Sequence, residues 1–169
     1  MKTYLERGFS FAEMIIVLLV LGIITGMTMR YAPEAAKKQR IKSTISYIQM
    51  LGSDIDEAYE DYGPYTIDTD LSAEQQRTKC VAYCRKLASN YLSTDLDISS
   101  IDIKSNGFYI KTLETDQWSQ PYYLYFRTDD GHEGDCMIIS AGPNMVLDNS
   151  NYSSGSFEDD IALILVFRR

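Results

Sequence analysis

The residue in this chain whose chemistry most needs an explanation is Glu13, a carboxylate near the start of an apolar segment. Residues 9–29 are 21 in number, and the only polar ones are Ser10, Glu13, Thr25 and Thr28. A helix needs about 20 apolar residues to cross a bilayer, so this segment can span one. A carboxylate within hydrocarbon costs about 3 kcal/mol or more unless it is paired or neutralised. The presence of a carboxylate at Glu13 therefore has to be explained by a partner or by a function.

The stretch before this segment is short and mildly basic. Residues 1–8 carry Lys2 and Arg7 and end at Gly8. The apolar run is not closed by the small-residue cleavage site of an ordinary secretory signal, so we expect it to remain on the protein. One interpretation is a single-pass anchor in which Glu13 lies at the headgroups or is protonated.

A second interpretation comes from the residues around the start of the apolar run. A basic leader ending in Gly8, followed by Phe9 and, four residues later, by Glu13, resembles the class III signal of type IV pilins and pseudopilins. The resemblance implies that a prepilin peptidase cuts after Gly8 and methylates the new amine of Phe9. It also implies that Glu13 pairs with that amine in a neighbouring subunit during assembly. Gly22 falls where the family usually has a glycine, whereas Arg30 stands where many members have a proline.

A helical pattern continues beyond the apolar segment. Hydrophobic residues recur at spacings of three and four, which predicts one apolar helix face, and Gly63-Pro64 ends the pattern. The residues of this predicted stripe are Ile41, Ile45, Ile48, Leu51 (or Met50), Ile55, Tyr59 and Tyr62. We therefore predict one helix over residues 9–62. Its first part, residues 9–29, is a transmembrane or filament-core helix, and residues 30–62 continue it as an amphipathic helix.

Residues 63–169 are expected to form one globular head. Ser72, with Gln75 three residues later, has capping-box spacing and predicts a helix to about residue 92. Segments rich in β-branched or aromatic residues predict a small antiparallel sheet, with strands at residues 101–103, 108–113, 122–127, 136–140 and 161–167. The predicted fold class is α+β, a long N-terminal helix packed on a small antiparallel sheet, which by resemblance is the pilin fold.

Two segments of the head extend the resemblance to the major pseudopilins of type II secretion systems. Their Asp-Pro-Trp-Gly-Asn-Pro-Tyr turn resembles Asp116-Gln117-Trp118-Ser119-Gln120-Pro121-Tyr122. Their Ser-x-Gly-x-Asp segment, followed by Asp-Asp-Ile, resembles Ser140-Ala141-Gly142-Pro143-Asn144 with the later Glu158-Asp159-Asp160-Ile161.

In those pseudopilins the second segment binds calcium, an ion that takes six to eight oxygen ligands. The resemblance implies a calcium site here at Asn144, Asp159 and Asp160. Asn144 stands in place of an aspartate, and Asp148 is a candidate to compensate for the lost charge. The alternative is a solvated, turn-rich loop whose acidic residues bind nothing.

Three cysteines could cross-link the head or bind a metal. Cys80 and Cys84 are four residues apart on the predicted helix, and Cys136 lies on a predicted strand. If the head faces an oxidising compartment, we expect one of the helix cysteines to pair with Cys136, which leaves one thiol over. The alternative is a zinc site made by the three cysteines together with His132, the only histidine.

The charge of the chain is unevenly distributed. Residues 30–42 carry five basic residues against Glu34, whereas residues 43–169 carry 21 acidic and 9 basic residues. An acidic head disfavours binding to the phosphates of nucleic acid. By the positive-inside rule the basic flank would lie in the cytoplasm. The resemblance implies the opposite orientation, with the leader in the cytoplasm and the head in the periplasm, and we follow the resemblance.

No pattern of catalytic residues is present, so we do not expect an enzyme. The chain has one histidine, no nucleophile elbow and no phosphate-binding glycine loop. The acidic residues between positions 54 and 61 are typical of the solvent side of a helix.

The resemblance implies a structural role. The chain would be a subunit of a type II secretion pseudopilus, held in the inner membrane by one span before assembly. An inner-membrane platform and its ATPase would extract it into a helical filament with further copies and other pseudopilins or pilins. The alternatives are a type IV major or minor pilin for adhesion, motility or DNA uptake, and a membrane-anchored binding domain that does not polymerise.

Overall fold

A computed structural model of the chain describes residues 10–66, 70–128, 134–147 and 160–166. The elements are α1 (Phe11–Tyr62), α2 (Ala73–Asn90), β1 (Leu96–Lys104), β2 (Gly107–Thr115), β3 (Pro121–Arg127), β4 (Cys136–Ser140) and β5 (Ile161–Leu165). The five strands form one sheet in the order β1-β2-β3-β4-β5, and every neighbouring pair is antiparallel. The predicted α+β class, a long N-terminal helix followed by a small antiparallel sheet, is confirmed.

Helix α1 has 52 residues and continues through Pro33. It ends where the sequence predicts: Gly63 has a φ of +71°, and its backbone N–H donates to the carbonyl of Tyr59 at 3.0 Å. Pro64 then follows and cannot extend the hydrogen-bonding pattern of a helix. The predicted first residue, Phe9, lies outside the described residues. The chain divides into two compact units, Met1–Gln39 and Arg40–Arg169.

In the second unit, one face of α1 is buried in the main hydrophobic core. The buried positions recur every three or four residues, as expected of an amphipathic helix: Thr44, Ile48, Leu51, Ile55, Ala58 and Tyr59. The predicted stripe is confirmed at its centre but shifts at its ends, because Ile45 and Tyr62 are exposed and Thr44 is buried. The same core includes Cys80, Cys84 and Leu87 from α2, and Phe108, Leu124 and Ile138 from the sheet.

Gly52 explains how closely α1 and β5 approach. A Cβ atom at this position would lie 2.8 Å from Leu163 Cδ2 and 3.5 Å from Leu165 Cδ2. Glycine in a helix interior costs about 1 kcal/mol relative to alanine. Its place here is therefore explained by packing against β5, not by any weakness of the helix.

Helix α2 begins as predicted. The backbone N–H of Gln75 donates to Ser72 Oγ at 3.4 Å, and the backbone N–H of Ser72 donates to Gln75 Oε1 at 2.9 Å, which completes the capping box. The helix ends at Asn90, two residues before the predicted end. Strand β1 is longer than predicted because its polar first half still pairs with β2 across a register shift between Asp97 and Asp102.

The sheet carries a second, smaller apolar cluster. Tyr125, Met137 and Ile139 are buried together, and partly buried Tyr109, Tyr123, Leu147 and Ala162 pack against them. Tyr123 pairs with Ile139 and Tyr125 with Met137, so these side chains alternate with those that enter the main core. Both faces of the central strands are therefore apolar.

Candidate functional site

Glu13 lies in the first turn of α1, where it forms a capping box with Ser10. The backbone N–H of Ser10 donates to Glu13 Oε2 at 2.7 Å, and the backbone N–H of Glu13 donates to Ser10 Oγ at 3.3 Å. A carboxylate at this position also interacts favourably with the positive end of the helix dipole. The Ser-x-x-Glu spacing is visible in the sequence, yet the role of Ser10 was not predicted. Gly8 and Phe9 lie outside the described residues.

The helix surface after Glu13 is apolar and uncovered. Every large hydrophobic residue from Phe11 to Met29 is exposed, by 46% to 83% of its surface. In the part of the chain that the structure describes, α1 is the one helix long and apolar enough to cross a membrane, and none of its most apolar window is buried within the chain. An exposed apolar surface of this size is typical of a site that contacts lipid or other protein.

The side-chain hydroxyls of Thr25 and Thr28 in the apolar segment are satisfied within the helix. Thr25 Oγ1 donates to the carbonyl of Leu21 at 2.7 Å, and Thr28 Oγ1 lies 3.1 Å from the carbonyl of Ile24 and 2.9 Å from that of Thr25. Hydroxyls bonded in this way are compatible with hydrocarbon, which offers no other partner. The ionisable group within the apolar run is therefore Glu13.

In the head, the turn at residues 116–122 is organised by Asp116. This carboxylate is only 5% exposed. Its Oδ1 accepts the backbone N–H groups of Trp118 and Gln120, both at 2.9 Å, and its Oδ2 accepts the hydroxyl of Ser140 at 2.6 Å. Ser119 has a φ of +63°, a backbone conformation that favours glycine. One buried side chain thus closes the turn and ties it to the end of β4.

The loop after β4 continues from the same contact. Ser140 Oγ accepts the backbone N–H of Gly142 at 3.2 Å, and the carbonyl of Gly142 accepts the N–H of Met145 at 3.2 Å. The two head segments singled out by sequence, 116–122 and 140–144, are therefore joined through the Asp116–Ser140 hydrogen bond. Both segments stand out in the sequence, but the contact between them does not, because the two residues are 24 positions apart.

Of the four predicted calcium ligands, the structure describes Asn144 and Asp160, whereas Asp148 and Asp159 lie outside the described residues. Asn144 Oδ1 accepts the backbone N–H of Val146 at 2.7 Å. Asp160 lies near Tyr123: burial, then the charges of Asp116 and Asp160, raise the pKa of that tyrosine. No group of three His, Cys, Asp or Glu side chains able to hold a metal occurs among the described residues. The calcium site stays a prediction.

The three cysteines are free thiols in the structure, so the expected disulfide with Cys136 is not formed there. Cys80 Sγ instead donates to the hydroxyl of Tyr65 at 3.1 Å. All three side chains are buried in the main core, and burial raises the pKa of each thiol. Cys84 and Cys136 pack there as small hydrophobic side chains. The three do not form a metal-binding group, and His132, the fourth zinc ligand considered, lies outside the described residues.

Comparisons with known proteins assign no family. No protein-family model, curated protein or solved structure matches the chain. The features of the chain that bear on its function are therefore an exposed apolar helix segment with Glu13 at its start, and a folded acidic head that follows it in sequence.

Proposed function

We propose that this chain is a filament subunit of the type IV pilin class, of the kind that forms a type II secretion pseudopilus. The observation that carries the proposal is the uncovered apolar half of α1, with Glu13 in its first turn and Gly8-Phe9 before it. Lipid covers this surface while the subunit is in the inner membrane. The same helices of neighbouring copies cover it in the filament.

Cleavage after Gly8 creates the positive charge with which Glu13 can pair. The new α-amino group of Phe9 is a cation one residue before Ser10, and it is methylated by the same peptidase. A carboxylate offers about four acceptor positions, and the Ser10 N–H uses one of them at 2.7 Å. Glu13 can therefore keep its capping box and still accept the ammonium of a neighbouring copy. Such a pair is strong where water is excluded, so it favours one register between subunits.

The orientation follows from the processing step. The leader must reach a peptidase on the cytoplasmic side, which places the head in the periplasm. A platform and its ATPase then extract the subunit, and the acidic heads form the filament surface. An acidic surface of this kind is a poor partner for nucleic acid.

Calcium binding is a second part of the proposal. Asn144, Asp148, Asp159 and Asp160 supply oxygen donors of the type that calcium prefers. A bound ion would hold the loop after β4 against the start of β5. Thermal melts of the purified chain with calcium and with chelator should differ by several degrees, and Asp160→Asn should remove the difference. Identical melts in the wild-type chain would leave the loop without a metal role.

The first test of the proposal is processing at Gly8. Co-expression with a prepilin peptidase should shorten the chain by eight residues and yield an N-terminal methylated phenylalanine, detected by intact mass and N-terminal sequencing. Gly8→Val should block the cut because a β-branched side chain does not fit a site that takes glycine. An unchanged N-terminus in the wild-type chain would contradict the proposal.

The second test is the role of Glu13 in assembly. Glu13→Ala should leave membrane insertion unchanged, since it makes the span more apolar, but should abolish filaments in a strain that carries the assembly machinery. Glu34→Ala is the matched control, because Glu34 is an exposed acid of the same helix beyond the apolar segment. A wild-type chain that is processed but never polymerises would favour the membrane-anchored binding domain instead.

A further inference from the structure

A polar stripe runs along the exposed side of α1 in the second unit. Its residues follow one another at spacings of four and three, and all of them are exposed: Lys42, Ser46, Gln49, Ser53, Asp56 and Glu60. The stripe lies opposite the buried face that contains Ile48 and Ile55. It is basic at its first end, uncharged in the middle and acidic at its second end.

No charged side chain of this stripe forms an ion pair among the residues that the structure describes. The one ion pair among the residues that the structure describes joins Lys104 to Asp102, on the far edge of the sheet. Ser46 Oγ is turned to its own helix, where it donates to the carbonyl of Lys42 at 3.0 Å. The middle of the stripe therefore presents short or neutral side chains, past which a second helix can approach closely.

We propose that this stripe is a contact surface between copies of the chain, with the basic end of one copy against the acidic end of the next. The two ends are complementary in charge, so the surface fits itself when one copy is displaced along the helix. An offset of 18 residues places Lys42 opposite Glu60 of the second copy. Because 18 residues are five full turns, this offset keeps both side chains on the same face, and it corresponds to about 27 Å at 1.5 Å per residue.

The same offset serves a second pair. Lys38 precedes Lys42 by four residues in α1, as Asp56 precedes Glu60, so an offset of 18 also sets Lys38 opposite Asp56. The parallel direction of the two copies rests on the proposed function, since all subunits of a filament enter the membrane by the same end. Exposed ion pairs are individually weak and are screened by salt, so assembly should decline as ionic strength rises.

Charge reversal in the full chain tests this surface, with filament yield from cells that carry the assembly machinery as the readout. Lys38→Glu with Lys42→Glu should lower the yield at least tenfold, and so should Asp56→Lys with Glu60→Lys. All four reversals together restore complementarity and should restore filaments. Arg77→Glu with Arg85→Glu, two exposed positions on α2, is the matched control and should assemble normally.

The outcomes distinguish a failure of the proposed function from a failure of the proposed contact. If the wild-type chain forms no filaments, the proposed function fails, and this contact fails with it. If the wild-type chain assembles and the paired reversals assemble equally well, the contact alone is overturned. Loss of filaments in the paired reversals without rescue by the fourfold variant also overturns it.

Cross-linking tests the direction and the offset. A chain with both Lys42→Cys and Glu60→Cys should give a ladder of covalent multimers on mild oxidation of filaments, because each copy contacts one neighbour at each end. Lys42→Cys with Gln49→Cys, an offset of seven, should give no ladder. Dimers that do not extend into a ladder would indicate an antiparallel pair and would overturn the proposed arrangement.

Discussion

At the scale of single residues, Asp102 shows how a cross-strand neighbour sets the titration of an exposed carboxylate. The hydroxyl of Tyr109 donates to Asp102 Oδ2 at 2.6 Å, and Lys104 Nζ lies 3.1 Å from the same oxygen. These two contacts, that of Tyr109 first, lower the pKa of Asp102. Tyr109→Phe should therefore raise the pKa of Asp102 toward its ordinary value, as measured by NMR titration. Tyr123→Phe should not move it.

The sign of the effect on stability follows from the direction of the shift. Because the pKa of Asp102 is lower in the folded chain, the carboxylate contributes stability above its unfolded pKa, near 3.9, and loses it as the pH falls through the folded value. The contribution is small because both side chains of the ion pair are about half exposed. A larger loss of stability between pH 4 and 3 in Tyr109→Phe than in the wild type would contradict this account.

Gly107 occupies a position where the backbone conformation and a close contact both disfavour any residue with a side chain. Its φ is +153°, and a Cβ atom would lie 2.2 Å from the carbonyl oxygen of Phe126. Gly107→Ala should therefore destabilise the chain by at least about 2 kcal/mol. Gly63→Ala should cost only about 1 kcal/mol, because Gly63 also has positive φ but no atom within 4 Å of the added Cβ. Chemical denaturation of both variants measures the difference, and equal losses would contradict the clash.

At the scale of elements, Asp116 connects the turn between β2 and β3 to the end of β4. Asp116→Asn replaces an acceptor with an N–H₂ group, so either the hydroxyl of Ser140 or a backbone N–H loses its partner in a buried site. The expected loss is about 2–3 kcal/mol in chemical denaturation. Ser140→Ala removes one hydrogen bond of the set and should cost about 1–2 kcal/mol. Wild-type stability in Asp116→Asn would show that the carboxylate is not needed there.

The elements themselves were largely predictable because each is specified locally. The period of α1, the capping box of Ser72 and Gln75, and the alternation in the five strands all lie within short windows of sequence. Gly63-Pro64 marked the end of α1 correctly. The wrong predictions concern burial, which is determined by packing between elements. Thr44 is buried, whereas the sequence pattern predicts that Ile45 is.

The contacts within the candidate site were harder to predict for a physical reason. Asp116 and Ser140 meet only because β3 and β4 pair, and no local pattern specifies which loop ends become neighbours. The cysteine pairing could not be predicted from the sequence for the same reason, since spacing along the chain does not give the separation between sulfurs. By contrast, the capping box of Ser10 and Glu13 is local and could have been read from the sequence.

At the scale of the whole molecule, the chain separates two kinds of surface by position. The exposed apolar side chains are concentrated between Phe11 and Met29, whereas the buried core begins at Thr44. Between them, residues 30–42 carry five basic residues, and those whose burial is described are exposed except Ile41, which is half-buried. Because the core lies in one unit and the exposed apolar surface in the other, covering that surface does not require unfolding of the head.

This separation predicts that residues 40–169 fold without the rest. Every residue of α1 that the structure describes as buried lies at position 44 or later, so removing residues 1–39 leaves the described main core complete. The shortened chain should be soluble without detergent and should unfold cooperatively in thermal melts followed by circular dichroism, whereas the full chain should sediment with membranes.

A second truncation provides the control for this prediction. Residues 53–169 lack Ile48 and Leu51, which are almost wholly buried, and should therefore lose the cooperative transition. If both truncations melt alike, residues 40–52 of α1 do not stabilise the head. Failure of residues 40–169 to fold would contradict the prediction. If the core of the head is built on α1 from Thr44 onward, residues 40–169 should unfold cooperatively and residues 53–169 should not.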